Sequence, residues 1–214
     1  MRNLSVYTQV VSVTVLFFIM GMAIMGSMSK ESFANDKATT DKLPASPAIA
    51  FETIAELENW VIVNDTVMGG RSRAQMQLQD NMLVFSGTLS LKNNGGFASI
   101  RRVYDPKSWL TNQAIQIKVI GDGRDYQFRL LTNRFMDGVA YVANFETVKG
   151  EETTLSFTAA DFTPQFRGRL VKGAPQLSFE DIQQLGFMLA DSRPGEFALK
   201  VASIEQALRM ASIQ

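Results

Sequence analysis

The sequence of 214 residues contains no cysteine and no histidine. Without cysteine the chain forms no disulfide and has no thiolate nucleophile and no lipid-modified cysteine. Without histidine it has no Ser-His-Asp triad, no imidazole base and no haem axial ligand. A zinc site built from these two residue types is also excluded. Any catalysis would therefore depend on carboxylates, lysine, tyrosine or a bound ion.

The charge balance excludes another class of function. The 21 Lys and Arg residues match the 21 Asp and Glu residues, so the formal net charge is zero. Nucleic-acid-binding proteins normally carry a basic stripe, and we therefore predict no nucleic-acid partner. Hydrophobic residues make up 46% of the chain, which is ordinary for a folded domain and too high for a disordered one.

Residues 1–34 have the pattern of a targeting segment. A short positive region ending at Arg2 precedes an almost wholly apolar run from Val10 to Met25. Ser32 and Ala34 supply the small residues of a cleavage site, which favours a cleaved signal peptide. The apolar run is also just long enough for a transmembrane anchor. Both interpretations place the rest of the chain outside the cytoplasm, in the periplasm if the source is Gram-negative.

The remainder divides into a linker and one domain. Residues 35–48 are small and polar and include two prolines, which predicts a flexible linker. Residues 49–214 are of a length that suits a single domain.

Alternation of apolar and polar residues predicts an all-β domain. The spacing of the alternating runs and of the turn signals between them is typical of a sandwich or a barrel. About ten short strands are predicted, at residues 74–79, 82–85, 89–92, 97–103, 115–119, 126–130, 139–145, 153–157, 185–189 and 197–201.

One segment, Leu177–Leu185, has the signals of a short helix. Ser178 is placed to cap the first amides, Asp181 to reach back to it, and Gly186 to end the helix. A parallel α/β sheet would need several such segments between its strands. We therefore predict a β-sandwich with one short helix.

Five short motifs stand out within the domain. They are NDTVMGGRS (64–72), NNGGFASIR (93–101), GDGRDY (121–126), FRGR (166–169) and LGFMLAD (185–191). Together and in this order they resemble the complex I intermediate-associated protein 30 family, with a match from about Phe51 to Ile204.

The resemblance implies a galactose-binding-like jelly-roll β-sandwich. It also implies a role as an assembly factor, because mitochondrial members of the family hold intermediates of respiratory complex I. The present sequence differs from those members in its start, which is typical of bacterial export or membrane anchoring and not of a mitochondrial transit peptide.

The first motif is either a ligand-binding loop or a tight loop closed on itself. Its paired glycines allow close backbone approach or positive φ, and such pairs are most often turns. A bond from Asp65 to Arg71 or to the backbone would close the loop, and Met68 would fill the core. The candidate residues of this loop are Asp65, Met68, Gly69, Gly70, Arg71 and Ser72.

The second motif is most simply a hairpin turn, since Asn and Gly supply the positive φ that such turns need. Phe97, Ser99 and Arg101 then share one side of the next strand, where they could hold a sugar or a carboxylate. Alternatively, Arg101 pairs with Asp65 or Asp122. The candidate residues of this segment are Asn94, Gly95, Gly96, Phe97, Ser99 and Arg101.

The third motif places Asp122 and Asp125 at a turn. Two carboxylates could hold Ca²⁺ there, but a plain turn is favoured because the fuller acidic run of a calcium loop is lacking. We therefore predict no metal and no other cofactor. Asp122, Arg124 and Tyr126 remain candidates for partner binding, as does Arg167 in the fourth motif, on a predicted loop.

These features predict a non-catalytic binding module. The leading hypothesis is that it holds a protein client during assembly of a respiratory or other membrane complex. The alternative is an extracytoplasmic carbohydrate-binding module with a glycan ligand. Contact with the membrane would come from the N-terminal segment if that segment is not cleaved.

Overall fold

Two packed antiparallel sheets form the folded part of the chain. The computed structural model describes residues 48–103, 109, 113–134 and 138–207. The predicted leader and nearly all of the predicted linker therefore lie outside the described residues. No helix in those described ranges is long and apolar enough to cross a membrane.

Thirteen strands are present in the described ranges. Six belong to a sheet with the order β3-β4-β13-β6-β9, in which β1 also pairs with β13, and seven to a sheet with the order β11-β10-β8-β7-β12-β5-β2. The strands are β1 (Ala48–Ala50), β2 (Trp60–Asn64), β3 (Arg73–Gln79), β4 (Met82–Leu89), β5 (Ala98–Val103), β6 (Ala114–Ile120), β7 (Asp125–Leu131), β8 (Ala140–Glu146), β9 (Glu152–Phe157), β10 (Thr163–Phe166), β11 (Arg169–Leu170), β12 (Gln184–Leu189) and β13 (Gly195–Ala207).

The alternation read from the sequence accounts for this architecture. In β6, Ile115, Ile117 and Val119 are buried while their neighbours are partly exposed, as period-two strands on a core require. Asp80 and Asn81 join β3 to β4 with φ of 52° and 57°, the positive values that a type I′ hairpin turn needs. The predicted fold class, an all-β jelly-roll sandwich, is confirmed.

Aromatic rings fill the space between the sheets. The ring of Phe187 lies 5.4 Å from that of Phe128 and 6.3 Å from that of Trp60. Phe128 also contacts Phe157 and Phe162, with ring centroids 5.7 and 5.8 Å away. Burying a side chain of this size contributes about 2–3 kcal/mol, so this cluster is a major source of the domain's stability.

The helix predicted at Leu177–Leu185 is wrong in its position. A single 3₁₀ turn spans Phe179–Asp181, and β12 begins at Gln184. Ile182 and Leu185 are fully buried, but β12 lies between β5 and β7, and this pairing overrides the local helix signals. The α-helix among the described residues is instead α1 (Ile54–Leu57), between β1 and β2.

The strand order brings most of the motifs to one end of the sandwich. β2, β7 and β12 meet there beside the start of β5, since Asn64 and Leu189 both pair with Ala98, and Leu189 also pairs with Tyr126. The start of β13 pairs with the end of β4 at the same end, through Gly195 and Leu89. We call this the motif end; its loops are residues 65–72, 90–97, 121–124, 147–151 and 190–194.

Candidate functional site

A fully buried carboxylate, that of Asp65, lies at the centre of the first two motifs. Its Oδ1 accepts a hydrogen bond from Ser72 N at 2.9 Å. Its Oδ2 accepts bonds from Ser72 Oγ at 2.5 Å, from Gly96 N at 2.7 Å and from Phe97 N at 3.4 Å. One side chain therefore fastens the loop between β2 and β3 to the loop between β4 and β5.

Two glycines allow the backbone to approach this carboxylate. A Cβ at Gly70 would lie 2.3 Å from Asp65 Cγ, and a Cβ at Gly95 would lie 2.5 Å from Asp65 Oδ2. Side chains at these positions would overlap the carboxylate, because real Cβ atoms do not come so close to a non-bonded atom. Close packing against Asp65 thus explains why glycine is present at both positions.

The environment of Asp65 favours its charged form. Burial raises the pKa of the carboxyl, but the bonds from Ser72 and from the amides of Gly96 and Phe97 outweigh it and hold the pKa below its usual range. Donors aimed at a carboxylate stabilise the ion in this way. The group is an ionised structural anchor with its oxygens already occupied.

Further bonds tie the same two loops together. Ser72 Oγ accepts a hydrogen bond from Ser90 N at 3.0 Å. Asn93 Nδ2 donates to the carbonyl of Gly69 at 3.2 Å, and Gly69 itself ends a 3₁₀ turn with φ of 89°. The expected loop closed by Asp65 and the backbone is what the structure shows. Arg71 is exposed, and no ion pair joins it to Asp65 in the part of the chain described.

The loops expose apolar side chains at their surface. The expectation that Met68 fills the core is wrong, since 59% of this residue is exposed. Val67 is 72% exposed on the same 3₁₀ turn, and Leu91 is 43% exposed on the loop bonded to it. We call Val67, Met68 and Leu91 the apolar tip. Its members cannot turn inward because the buried carboxylate holds the backbone beneath them.

The second motif is not a hairpin turn. Asn93, Asn94 and Gly96 do adopt the predicted positive φ, at 59°, 56° and 137°. However, β4 and β5 belong to different sheets, so the segment crosses from one layer of the sandwich to the other. The interpretation failed because the same residue types suit both kinds of connection.

Phe97, Ser99 and Arg101 do lie on one side, the outer face of the seven-stranded sheet, but they do not form an open cluster. Ser99 is buried, and its Oγ donates to the carbonyl of Val63 at 2.6 Å. Phe97 is half-buried. The alternative pairing of Arg101 with Asp65 or Asp122 does not occur either, because other described groups are the partners of these two acids.

A second buried polar cluster joins the third and fifth motifs. The Arg124 guanidinium donates to Asp191 through Nε at 2.9 Å and Nη2 at 2.6 Å. It also donates to the carbonyls of Arg193, Gly195 and Glu196. The side chain of Asp191 is only 2% exposed. Such a bidentate pair with further carbonyl acceptors satisfies a buried arginine.

Asp122 belongs to the same cluster. Its carboxylate accepts bonds from Ala198 N at 2.8 Å, from Arg124 N at 3.1 Å and from the Tyr126 hydroxyl at 3.2 Å. Burial and then the neighbouring Asp122 raise the pKa of Tyr126, which keeps this hydroxyl protonated as a donor. Asp125 faces Arg193 at 3.5 Å. Both oxygens of Asp122 are therefore engaged by protein donors, and Asp125 has a cation beside it.

Arg167 and Gly168 form the turn of the hairpin between β10 and β11, with φ of 50° and 75°. The fourth motif is thus a strand pair where a loop was predicted. The Arg167 guanidinium lies 5.2 Å from the centre of the Phe166 ring, a cation–π distance. This hairpin is at the edge of the seven-stranded sheet and does not join the two polar clusters.

The candidate acids Asp65 and Asp122 therefore belong to two separate scaffolds at one end of the fold. Asp65 and Asp122 share no hydrogen-bond partner in the described residues. The acids on which a catalytic hypothesis would rest, Asp65, Asp122, Asp125 and Asp191, all face donors or cations. The hydrogen bonds of the two scaffolds hold the loops in place, and the loops present the apolar tip. Val67 and Leu91 were missed because apolar loop residues resemble core residues in sequence.

This combination of two packed sheets and braced loops defines a β-sandwich of the kind found in carbohydrate-binding modules. The family 11 module of the cellulase Lic26A-Cel5E of Clostridium thermocellum superposes with a TM-score of 0.56 at 16% identity, covering 78% of this chain and 98% of the module. A family 11 module from the same organism, solved with a β-1,3-1,4-mixed-linked tetrasaccharide, gives a TM-score of 0.54 at 15% identity, covering 77% of this chain and 99% of the module. At these identities the likeness concerns the fold.

The chain belongs to the complex I intermediate-associated protein 30 family, whose model matches residues 49–201. The mitochondrial protein of that name from Mus musculus is 25% identical over 174 residues, which is 71% of this chain and 52% of the mouse protein. Protein C9E9.15 of Schizosaccharomyces pombe is 26% identical over 173 residues, covering 69% and 79%. The chain thus spans about half the length of the mouse relative. Membership of this family fits a non-catalytic binding module, and the structural neighbours share its fold.

Proposed function

We propose that the domain is a binding module that holds a protein client through the apolar tip during assembly of a membrane complex. The observation that carries this proposal is the exposure of Val67, Met68 and Leu91 on loops braced by a buried carboxylate. Exposed apolar residues on a rigid backbone bind partners at low entropic cost. Methionine in particular adapts to varied apolar surfaces.

The family supports a protein client. The name of the mouse relative describes association with an intermediate of complex I. We extend this kind of role to the present chain, with a client that belongs to a respiratory or another membrane complex. The N-terminal segment would deliver the domain outside the cytoplasm, as a released protein or held at the inner membrane. Protease added to intact spheroplasts should then digest the domain, and its protection would contradict this location.

Photo-crosslinking at a single position tests the client directly. A benzophenone amino acid replaces Met68 in the full chain, expressed in its native membrane. The control carries the same group at Leu170, which is 61% exposed but lies at the sheet edge, away from the motif end. We expect a discrete protein adduct from position 68 and none from position 170. Absence of an adduct at 68, or equal adducts at both positions, would overturn the proposal.

Carbohydrate binding is the second candidate. It is favoured by the superposition on a module solved with a bound tetrasaccharide. In that case a glycan array should give a defined set of ligands, and calorimetry should give saturable heat with one of them. If no sugar gives heat while position 68 forms a protein adduct, the carbohydrate hypothesis fails.

A further inference from the structure

The outer face of the seven-stranded sheet holds an arginine whose charge no described acid balances. Arg129 lies on β7 and alternates with Phe128 and Leu130, whose side chains are buried between the sheets. Its own side chain therefore points to the outer face. None of the described carboxylates lies within ion-pair distance of it. By register, the acids of this face nearest along the strands are Asp125 and Glu146, roughly 13 Å away at four residues' rise.

One edge of the Arg129 guanidinium lacks an acceptor. Nη1 donates to Gln127 Oε1 at 2.9 Å and contacts Met188 Sδ at 2.9 Å. Nε is buried from solvent and has no hydrogen-bond partner among the residues that the structure describes. The Nε–H and one Nη2–H point along the same edge, which matches the two oxygens of a carboxylate. A buried donor without a partner is costly, so the structure keeps this edge free at the expense of stability.

Arg101 adds a second positive charge to the same face. It pairs in register with Gly186 of β12, which pairs in turn with Arg129 of β7. A Cβ at Gly186 would lie 2.1 Å from the carbonyl oxygen of Ile100, so no side chain can stand between the two arginines. Burial, followed by the charge of Arg101, lowers the pKa of Arg129 to about 10. The charge of Arg101 thus repels that of Arg129 across Gly186.

We propose that Arg129, with Arg101 across Gly186, binds a carboxylate of an acidic segment of the client polypeptide. An anion here would supply the acceptors that the free edge lacks and relieve the repulsion between the two arginines. The inference rests on the proposed function for its client. It adds a charged site on the sheet face to the apolar contact at the motif end.

The surroundings favour an acidic side chain over an acidic sugar. The described strands β2, β5, β7, β8 and β12 carry no aromatic residue on their outer face. Phe97, which precedes β5 on that face, is half-buried, so an exposed platform for stacking a sugar ring is lacking among them. Apolar groups adjoin the guanidinium instead, namely Met188 and the buried Val142 that pairs with Arg129. They suit the methylene groups of a glutamate.

The test measures binding of a defined peptide to the full chain in detergent. The probe is a fluorescent hexaglutamate peptide, with hexaglutamine as the uncharged control, followed by anisotropy. Arg129→Gln removes the charge and the guanidinium. Arg129→Lys keeps the charge but lacks the two parallel N–H donors of the guanidinium. The control, Arg73→Gln, removes an exposed arginine from the other sheet. Far-UV circular dichroism checks that each variant is folded. We expect Arg129→Gln to weaken binding about 10-fold and Arg129→Lys to restore only part of it.

Arg73→Gln should leave the hexaglutamate affinity unchanged, and hexaglutamine should not bind. In nitrogen-15 spectra the Arg129 Nε–H signal should shift on addition of hexaglutamate. Equal affinities of wild type and Arg129→Gln would overturn the inference. Binding of trigalacturonate at Arg129 without binding of hexaglutamate would overturn it in favour of an acidic glycan. These measurements do not involve Met68, so the hypothesis of a carboxylate site at Arg129 and the hypothesis of client binding at the apolar tip can be refuted separately.

Discussion

Asp65 and Ser72 are joined by two hydrogen bonds, from the amide at 2.9 Å and from the hydroxyl at 2.5 Å. The residues begin and end the loop that presents Met68, so these bonds close it at its base. The same carboxylate also accepts the amides of Gly96 and Phe97. The apolar tip therefore depends on one ionised group, and this dependence can be tested by stability measurements.

Replacing Asp65 by Asn should destabilise the domain by about 2–3 kcal/mol, because the amide loses the charge and turns a donor toward backbone donors. Asp80→Asn is the matched control, since Asp80 is exposed in a hairpin turn where Asn is equally suited. Its effect should stay within about 0.5 kcal/mol. Urea unfolding measures both, and equal values for the two variants would refute the role given to Asp65.

Acid should lower the stability of the domain by protonating the carboxylates of Asp65 and Asp191. Bonds from donors hold the pKa values of Asp65 and Asp191 below their usual value of 3.8, despite burial, which acts in the opposite direction. A depressed folded-state pKa gives stability that is complete well above pH 4 and is lost as the pH falls below it. Unfolding followed between pH 7 and pH 2 should show this loss. In Asp65→Asn the pH dependence should be shallower; an unchanged slope would contradict the assignment.

The close approach at Gly70 predicts a strong effect of a single methyl group. Gly70→Ala should cost about 3 kcal/mol or more, because the new Cβ overlaps the buried carboxylate of Asp65. Gly150→Ala is the control, since nothing lies within 4 Å of its Cβ and only its φ of 75° is unfavourable, at about 1–2 kcal/mol. Thermal unfolding should show a larger loss of stability for Gly70→Ala than for Gly150→Ala. The reverse order would mean that the loop around Gly70 is free to move.

The buried Arg124 and the partly buried Arg129 should respond oppositely to replacement by methionine. Arg124→Met leaves Asp191 buried without its main partner and should cost about 3–5 kcal/mol. Arg129→Met removes an unbalanced charge and should raise the free energy of unfolding by about 1 kcal/mol. Urea unfolding of both variants provides the comparison. A large loss of stability in Arg129→Met would show that Arg129 is a structural residue and would count against a binding role.

Strand positions could be predicted from the sequence wherever alternation was clear, as in β6 and β7. The edge strand β2 was missed because Trp60, Val61, Ile62 and Val63 are continuously apolar and show no period of two. The helix at residues 177–185 was predicted from capping signals that are purely local. Strand pairing of β12 between β5 and β7 depends on residues far away in sequence, which local signals do not contain.

The candidate site was predictable in its parts but not in its arrangement. The motifs singled out Asp65, Gly70, Ser72 and Arg124, and the structure places all four in buried scaffolds. The side-chain partners of Asp65 and Arg124 lie from 7 to 72 residues away in the chain, so no spacing rule connects them. Arg129 carried no signal at all, since an arginine alternating with apolar residues on a strand is usually exposed to solvent.

Recovery of the client by the full chain tests the central claim most directly. Tagged wild type, Met68→Asp and Leu170→Asp are each purified from native membranes under identical conditions. The amount of co-purified client, the protein identified by crosslinking at position 68, is then measured for each. A charge within the apolar tip should abolish the apolar contact, whereas Leu170 is equally exposed but distant. The account predicts at least a tenfold loss of client with Met68→Asp and unchanged recovery with Leu170→Asp. Undiminished recovery with Met68→Asp would contradict it.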